Sequence, residues 1–200
     1  MALSQSVPPP ERGDLQGSAF ACLDFINSGW RDHRDGVREY DLLPSPEWQR
    51  KFRRRWALEL EDGAAEPPLR RLLWARAALR SVLESWASGR RPATADLATL
   101  NRILARGPTV RRLEIGAGAL SLRVEAARRD WNWVLAEVVA SAAALAAAGP
   151  PARLKVCGND HCTWLFWDGS HNLSRRWCDA ATCGNLVKVR SFRQARKQRS

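Results

Sequence analysis

The sequence is poor in the residues from which catalytic centres are built. Histidine occurs three times in 200 residues, and tyrosine and methionine once each. His33 is the only histidine before residue 150, and no phosphate-binding glycine loop, no HExxH pair and no Ser or Cys set beside a His occurs in that stretch. Without an acid, a base and a nucleophile to assemble, the chain is expected not to be an enzyme. His33 itself, in an Arg- and Asp-rich loop, is expected at the surface. Long apolar runs are missing as well. The longest, WNWVLAEVVASAAALAAAG, is rich in Ala and broken by Glu137, too short and too weakly apolar to span a bilayer. The first residues, MALSQSVPPPERGD, lack the basic and apolar regions of a secretion signal. The expectation is a cytoplasmic protein with no membrane partner, whose thiols stay reduced. There is no internal repeat and no coiled-coil heptad.

What the chain has in excess is positive charge. Lys and Arg number 32 against 21 Asp and Glu, for a net +11, and Arg outnumbers Lys 28 to 4. From Pro150 onward ten Lys or Arg face only Asp160, Asp168 and Asp179, so the last quarter carries +7. A local excess of this sign attracts polyanions, nucleic acid among them. A second basic stretch, Arg50, Lys51, Arg53, Arg54 and Arg55, fits a solvated helix face.

Residues 1–12 form a loose Pro-rich tail, and 13–150 a mainly helical domain. FACLDFINS begins the fold, with Cys22 as a buried structural thiol. SPEWQRKFRRRWALEL opens on Ser45 as helix cap with Pro46 behind it, and Trp48, Phe52, Trp56 and Leu60 make an apolar stripe. Pro68 to Gly89 reads as a helix with Leu72, Ala75, Leu79, Leu83 and Trp86 inward. A shorter helix follows, capped by Thr94, with Leu97, Leu100 and Leu104 facing the core. Between Val110 and Val124 the period shifts to two around Gly116 and Gly118, which predicts a β-hairpin. A last long helix starts at Trp131, with Val134, Leu135, Val138, Ala142 and Leu145 on its apolar face. Gly149-Pro150-Pro151 stops it.

Four of the five cysteines lie in residues 157–183. Cys157 and Cys162 are separated by four residues, and so are Cys178 and Cys183. Fifty residues bury too little core to fold unaided. Four thiolates in reduced surroundings suit one structural Zn²⁺ in a closed tetrahedron. His161 and His171 are available but not needed. The intervening TWLFWDGSHNLSRRWC suggests a strand, a turn at Asp168-Gly169 and a returning strand. Trp164, Phe166 and Trp167 are expected to pack over the metal, and Asp179 to cap a helix carrying Cys183 in its first turn. A knuckle, a hairpin and a helix giving the last ligands outline a treble-clef finger over 151–200. The predicted fold class is therefore α+β, mainly α: a helical domain with one hairpin, then a small zinc finger.

These residues resemble the CGNR zinc finger family. The likeness rests on Cys157 and Cys162, on Asp168 and Ser170, on Arg175, Arg176, Trp177 and Cys178, and on Cys183, Gly184 and Asn185. Leu186 stands where the family has its fourth signature residue, arginine. LDFINS, DLLPSPE and ADLATLNRIL are similar to the ABATE domain that accompanies this finger. The resemblance implies a bacterial, stress-induced transcription regulator whose finger binds DNA. Arg175, Arg176, Lys188, Arg190, Arg193, Arg196 and Lys197 are then the nucleic-acid-binding candidates. Leu186, Arg190, Arg193 and Lys197 share one helix face. Alternative partners are RNA or an acidic protein, and the zinc thiolates or helical domain could act as a redox or ligand sensor.

Overall fold

The computed structural model describes residues 20–34, 36–67, 69–116 and 118–198. The predicted tail, residues 1–12, lies outside them, as does Pro68. Helices make up about 49% of the chain, accompanied by small antiparallel strand pairs.

α1 (Ala21–Ile26) is only six residues long and every one is buried, Asp24 included. A helix this short holds by packing, not propensity. Ser141, from the last long helix, accepts the Cys22 amide at 2.8 Å and satisfies one free N–H of its first turn. Two three-residue strands follow, β1 (Gly29–Arg31) and β2 (Glu39–Asp41), paired antiparallel with Trp30 opposite Tyr40. They were not anticipated, since three residues are too few to show a period.

α2 (Pro46–Arg55) begins as expected, with the Ser45 hydroxyl accepting the Trp48 amide at 3.3 Å and Pro46 at the first position. It ends at Arg55 because Ala57 turns to a φ of 53°. Trp48, Phe52, Trp56 and Leu60 nevertheless all lie against the core. α3 (Leu69–Ala87) buries Leu72, Ala75, Leu79 and Leu83 as predicted.

α4 (Thr94–Arg106) differs from expectation in two ways. Ala93 takes the cap position and offers no side chain, so Thr94 is already helical. The first turn is tied to α3 instead, the Ser81 hydroxyl donating to Asp96 at 2.6 Å. The buried face is Leu100 and Ile103, while Leu97 and Leu104 are each 39% exposed. α5 (Trp131–Ala147) buries the predicted stripe except Ala142, which is half-buried, and adds Trp133, Ala136 and Val139, so it is a central helix apolar on two sides. Asp130 caps it, accepting the amides of Asn132 at 2.8 Å and Trp133 at 3.1 Å. Asp130→Ala is expected to lower the thermal midpoint by the equivalent of about 1 kcal/mol without changing helical circular dichroism at 25 °C.

The predicted hairpin is present as β3 (Thr109–Gly116) and β4 (Ala119–Ala126). Its apolar side chains, however, face solvent.

After α5, a short 3₁₀ turn (Pro151–Arg153) leads into β5 (Leu154–Val156), which pairs with β6 (Leu165–Trp167). This corrects the expected hairpin. β6 pairs backwards with β5 across the first cysteine pair, and among the described residues no strand returns after Asp168. A π-helical turn (Ala180–Gly184) then runs into α6 (Asn185–Lys197).

The finger shares the core of the helical domain. Leu154 and Leu165 are fully buried in the same cluster as Leu72, Leu79 and Val134. Asn27, just after α1, donates to the Leu165 carbonyl at 2.8 Å and accepts its amide at 3.0 Å, so one side chain supplies β6 with the pairing of a further strand. Arg80 on α3 donates to the Thr163 carbonyl at 2.7 Å.

Candidate metal centre

Cys157 and Cys162 sit in the loop between β5 and β6. Its backbone turns so that the Cys157 amide donates to the Trp164 carbonyl at 2.9 Å and the Cys162 amide to the Asn159 carbonyl at 2.7 Å. Cys178 precedes the π-helical turn and Cys183 lies within it. Asp179 caps that turn rather than α6, accepting the Thr182 amide at 2.7 Å. Gly158 permits the two halves to meet. Its amide donates to the Arg176 carbonyl at 2.8 Å, and a Cβ there would stand 3.0 Å from that oxygen.

The result is a sulfur cluster. The four Sγ atoms are buried and all lie within 4.8 Å of one another. Cys162 and Cys178 are 3.8 Å apart, and Cys178 and Cys183 3.6 Å. Four metal–sulfur bonds of about 2.3 Å in a tetrahedron place sulfurs about 3.8 Å apart, so the cluster has the size of a Zn²⁺ cage. None of the four thiols is in a disulfide. Among the described residues, this is the one group of three or more Cys, His, Asp or Glu side chains arranged to hold a metal. Neither His161 nor His171 joins it.

The electrostatics favour a cation. Hydrogen bonds from Cys162 and Cys178 pull the Cys157 thiol down to about 7. Those from Cys157, Cys162 and Cys178 hold Cys183 well below the ordinary thiol range. The same contacts push Cys162 and Cys178 up, the contact with Cys157 acting most strongly on both. The cluster thus cannot place charge on all four sulfurs by itself, and a dication would let all of them ionise. Burial, against the opposing hydrogen bond with Ser141 and with a smaller push from Asp24, raises Cys22 to about 11, as befits an inert core thiol.

An aromatic wall surrounds the sulfurs. Trp164 and Phe166 pack there as expected, with Trp177 beside them, whereas Trp167 turns to the main core and meets Phe20 edge-on at 5.7 Å. The helical domain supplies the rest of the wall. Trp30 joins the cluster, Tyr40 stacks on it at 5.2 Å, and Leu42 packs alongside.

An ion pair between half-buried Lys155 and buried Asp168 orders the segment between the cysteine pairs. Lys155 donates to Asp168 at 2.7 Å, and also to the carbonyls of Leu173 and Arg175. Asp168 is fully buried and accepts further bonds from the Ser170 amide and hydroxyl and from the Arg175 amide at 3.0 Å. Burial opposes its ionisation, but Lys155 and Ser170 outweigh that and hold the carboxyl well below its usual range. The sequence pointed to the Asp168–Ser170 turn but not to Lys155, whose partners lie at least 13 residues away.

The basic residues divide into two groups. Arg175 turns inward. Its guanidinium donates to the carbonyls of Trp177 and Cys178 and lies 4.8 Å from the Phe166 ring, so it braces the third cysteine. Arg190 is also committed internally. It donates to Asn159 at 3.0 Å, to the His33 carbonyl at 3.0 Å and to the Arg34 carbonyl. Asn159, fully buried, itself donates to the His33 carbonyl at 3.0 Å. His33 is therefore buried, not a surface residue, and its loop clasps knuckle and helix together. Gly36 makes this approach possible, with a φ of 72° and a virtual Cβ only 2.3 Å from the His161 ring. Arg176, Lys188, Arg193, Arg196 and Lys197 are exposed. Leu186 is half-buried in the first turn of α6.

Residues 153–196 match the family model of the CGNR zinc finger. Residues 20–149, more than half of the chain, match the ABATE model, whose description reads "Putative stress-induced transcription regulator". No protein with a curated description matches the chain. Among the described residues, no helix is long and apolar enough to cross a membrane.

Proposed function

Since the chain belongs to the ABATE family and ends in a CGNR zinc finger, we propose that it is a cytoplasmic, non-catalytic transcription regulator that binds duplex DNA through α6. Cys157, Cys162, Cys178 and Cys183 hold one structural Zn²⁺. Four protein thiolates close the tetrahedron, so the ion has no open position for substrate and serves to fold the finger.

One observation carries the DNA reading. α6 contains five basic residues and no acidic one, buries none of its residues, and is fixed at its base by Arg190. Its outer face and C-terminal half present a positive surface to solvent. Lys188, Arg193, Arg196 and Lys197, with Arg176 at the finger's edge, supply phosphate contacts; Arg175 and Arg190 position the helix. Phosphate contacts give affinity that falls with salt.

The test is titration of a fluorescent duplex across a salt series. Wild-type protein is expected to bind with a steep slope of log affinity against log salt. Arg193→Gln with Lys197→Gln should reduce that slope by about 2 and weaken binding on every sequence alike. A shallow slope, or no binding at low salt, would overturn the proposal. Phe192, 70% exposed amid these cations, favours a second reading in which the helix stacks on single-stranded RNA. Competition by single-stranded RNA that outdoes duplex DNA would decide for it.

A further inference from the structure

The β3–β4 hairpin meets the main core through Ala126 at its base, and its apolar side chains beyond that point face solvent. Its two strands stay in unbroken antiparallel register from Thr109 opposite Ala126 to Gly116 opposite Ala119. Alternation then sorts the side chains by face. Leu113, Ile115, Leu120, Leu122 and Val124 stand together with Arg111 on one side, the five apolar residues between 58% and 81% exposed. The opposite face is polar and internally paired. Arg112 meets Glu125 at 3.4 Å, and Arg123 meets Glu114 at 3.5 Å and Glu125 at 3.1 Å. An isolated two-stranded ribbon is at best marginally stable in water, so this apolar face calls for a cover.

We propose that the cover is a second copy of the chain, and that the protein dimerises by stacking the two ribbons apolar face to apolar face. Area supports this. Five side chains at these exposures present on the order of 500–600 Å² per copy, at the top of what a monomer leaves bare. Two such faces with their polar rims reach the roughly 1,200 Å² at which specific interfaces begin.

Charge points the same way. The ribbon carries Arg111, Arg112 and Arg123 against Glu114 and Glu125, a net +1, on a chain whose total is +11. Two copies can meet here without the repulsion that the basic helix would impose. An acidic partner would find only Arg111 to pair with on this face. Symmetry completes the case. Leu113 lies opposite Leu122 and Ile115 opposite Leu120, so the patch is similar on both sides of the ribbon axis. A flat apolar face of this kind can meet its own copy about a two-fold axis, with sheets stacked at about 10 Å.

Sedimentation equilibrium of the full-length, metal-loaded protein at tens of micromolar tests this. Wild type is expected at twice the 22.4 kDa chain mass. Ile115→Glu combined with Leu122→Glu should give the monomer mass, with metal content and helical circular dichroism unchanged, because neither residue packs in the domain core. Should that variant lose structure, Leu122→Thr, which keeps a strand-compatible side chain, reads the same surface and should weaken the dimer about ten-fold. Arg112→Ser, on the polar face, should remain dimeric. A monomeric wild type, or a dimer that survives both apolar-face variants, would overturn the proposal. A wild type that is monomeric alone but binds lipid vesicles would assign the face to a different occupant and overturn it equally.

Discussion

Cys178→Ser is expected to strip the finger of its metal and unfold it, and the damage should reach the helical domain. The substitution keeps the side chain's size and removes one thiolate from the centre of the sulfur cluster, 3.8 Å from Cys162 and 3.6 Å from Cys183. Metal binding in such modules is worth on the order of 10 kcal/mol, comparable to the whole stability of a domain. Nothing else in the finger replaces it. The loss spreads because the domains share material. Trp30, Tyr40 and Leu42 wall the cluster from the helical side, and Leu154 and Leu165 complete the main core from the finger side. For the helical domain, which loses only the part of its core shared with the finger, a fall in melting temperature on the order of 10 °C is expected, with near-ultraviolet circular dichroism of the tryptophans reduced. Cys22→Ser should leave metal content unchanged, since Cys22 is buried beside Ser141, away from the cluster. Elemental analysis and a thermal melt check both variants. Full metal retention in Cys178→Ser would refute the four-ligand assignment.

The second large effect belongs to the Lys155–Asp168 pair. Lys155→Met leaves a fully buried carboxylate without its cation, a change that costs about 3–5 kcal/mol at such sites. Asp168 loses more than charge compensation. The segment it organises, through Ser170 and the Arg175 amide, is also the one Lys155 holds at Leu173 and Arg175. Leu173 sits at a φ of 51°, a strained conformation for leucine that this bonding keeps in place.

The pair also sets a pH dependence. The folded Asp168 carboxyl titrates below its unfolded value of about 4. Its contribution is therefore complete above that value and is lost as pH falls from there toward the lower, folded one. Urea midpoints measured from about pH 6 down to pH 3 should fall less steeply in Asp168→Asn than in wild type. Parallel curves would mean that Asp168 is not held as an ion.

The parts of this molecule that sequence revealed are those written in local spacing. Two four-residue gaps between cysteines, the Ser45-Pro46 start of α2 and the alternation in β3 and β4 each declare themselves within a few residues. The parts it hid are long-range. Arg190 reads as a DNA contact because its own helix is basic; two of its three partners, His33 and Arg34, are more than 150 residues earlier. Asn27 mimics a strand for Leu165 across 138 residues. β1, β2 and β5 have three residues each, below the length at which a period of two can be seen, whereas β6 falls on the strand expected before Asp168. The register of α4 was misread because Ser81–Asp96, a tertiary bond, overrides the local preference for Thr94 as cap.

X-ray absorption at the zinc edge of the purified protein tests the metal centre most directly. The predicted spectrum fits one zinc per chain with four sulfur neighbours at about 2.3 Å and no nitrogen or oxygen in the first shell. Nitrogen or oxygen ligands, or protein that is folded and free of metal, would contradict it.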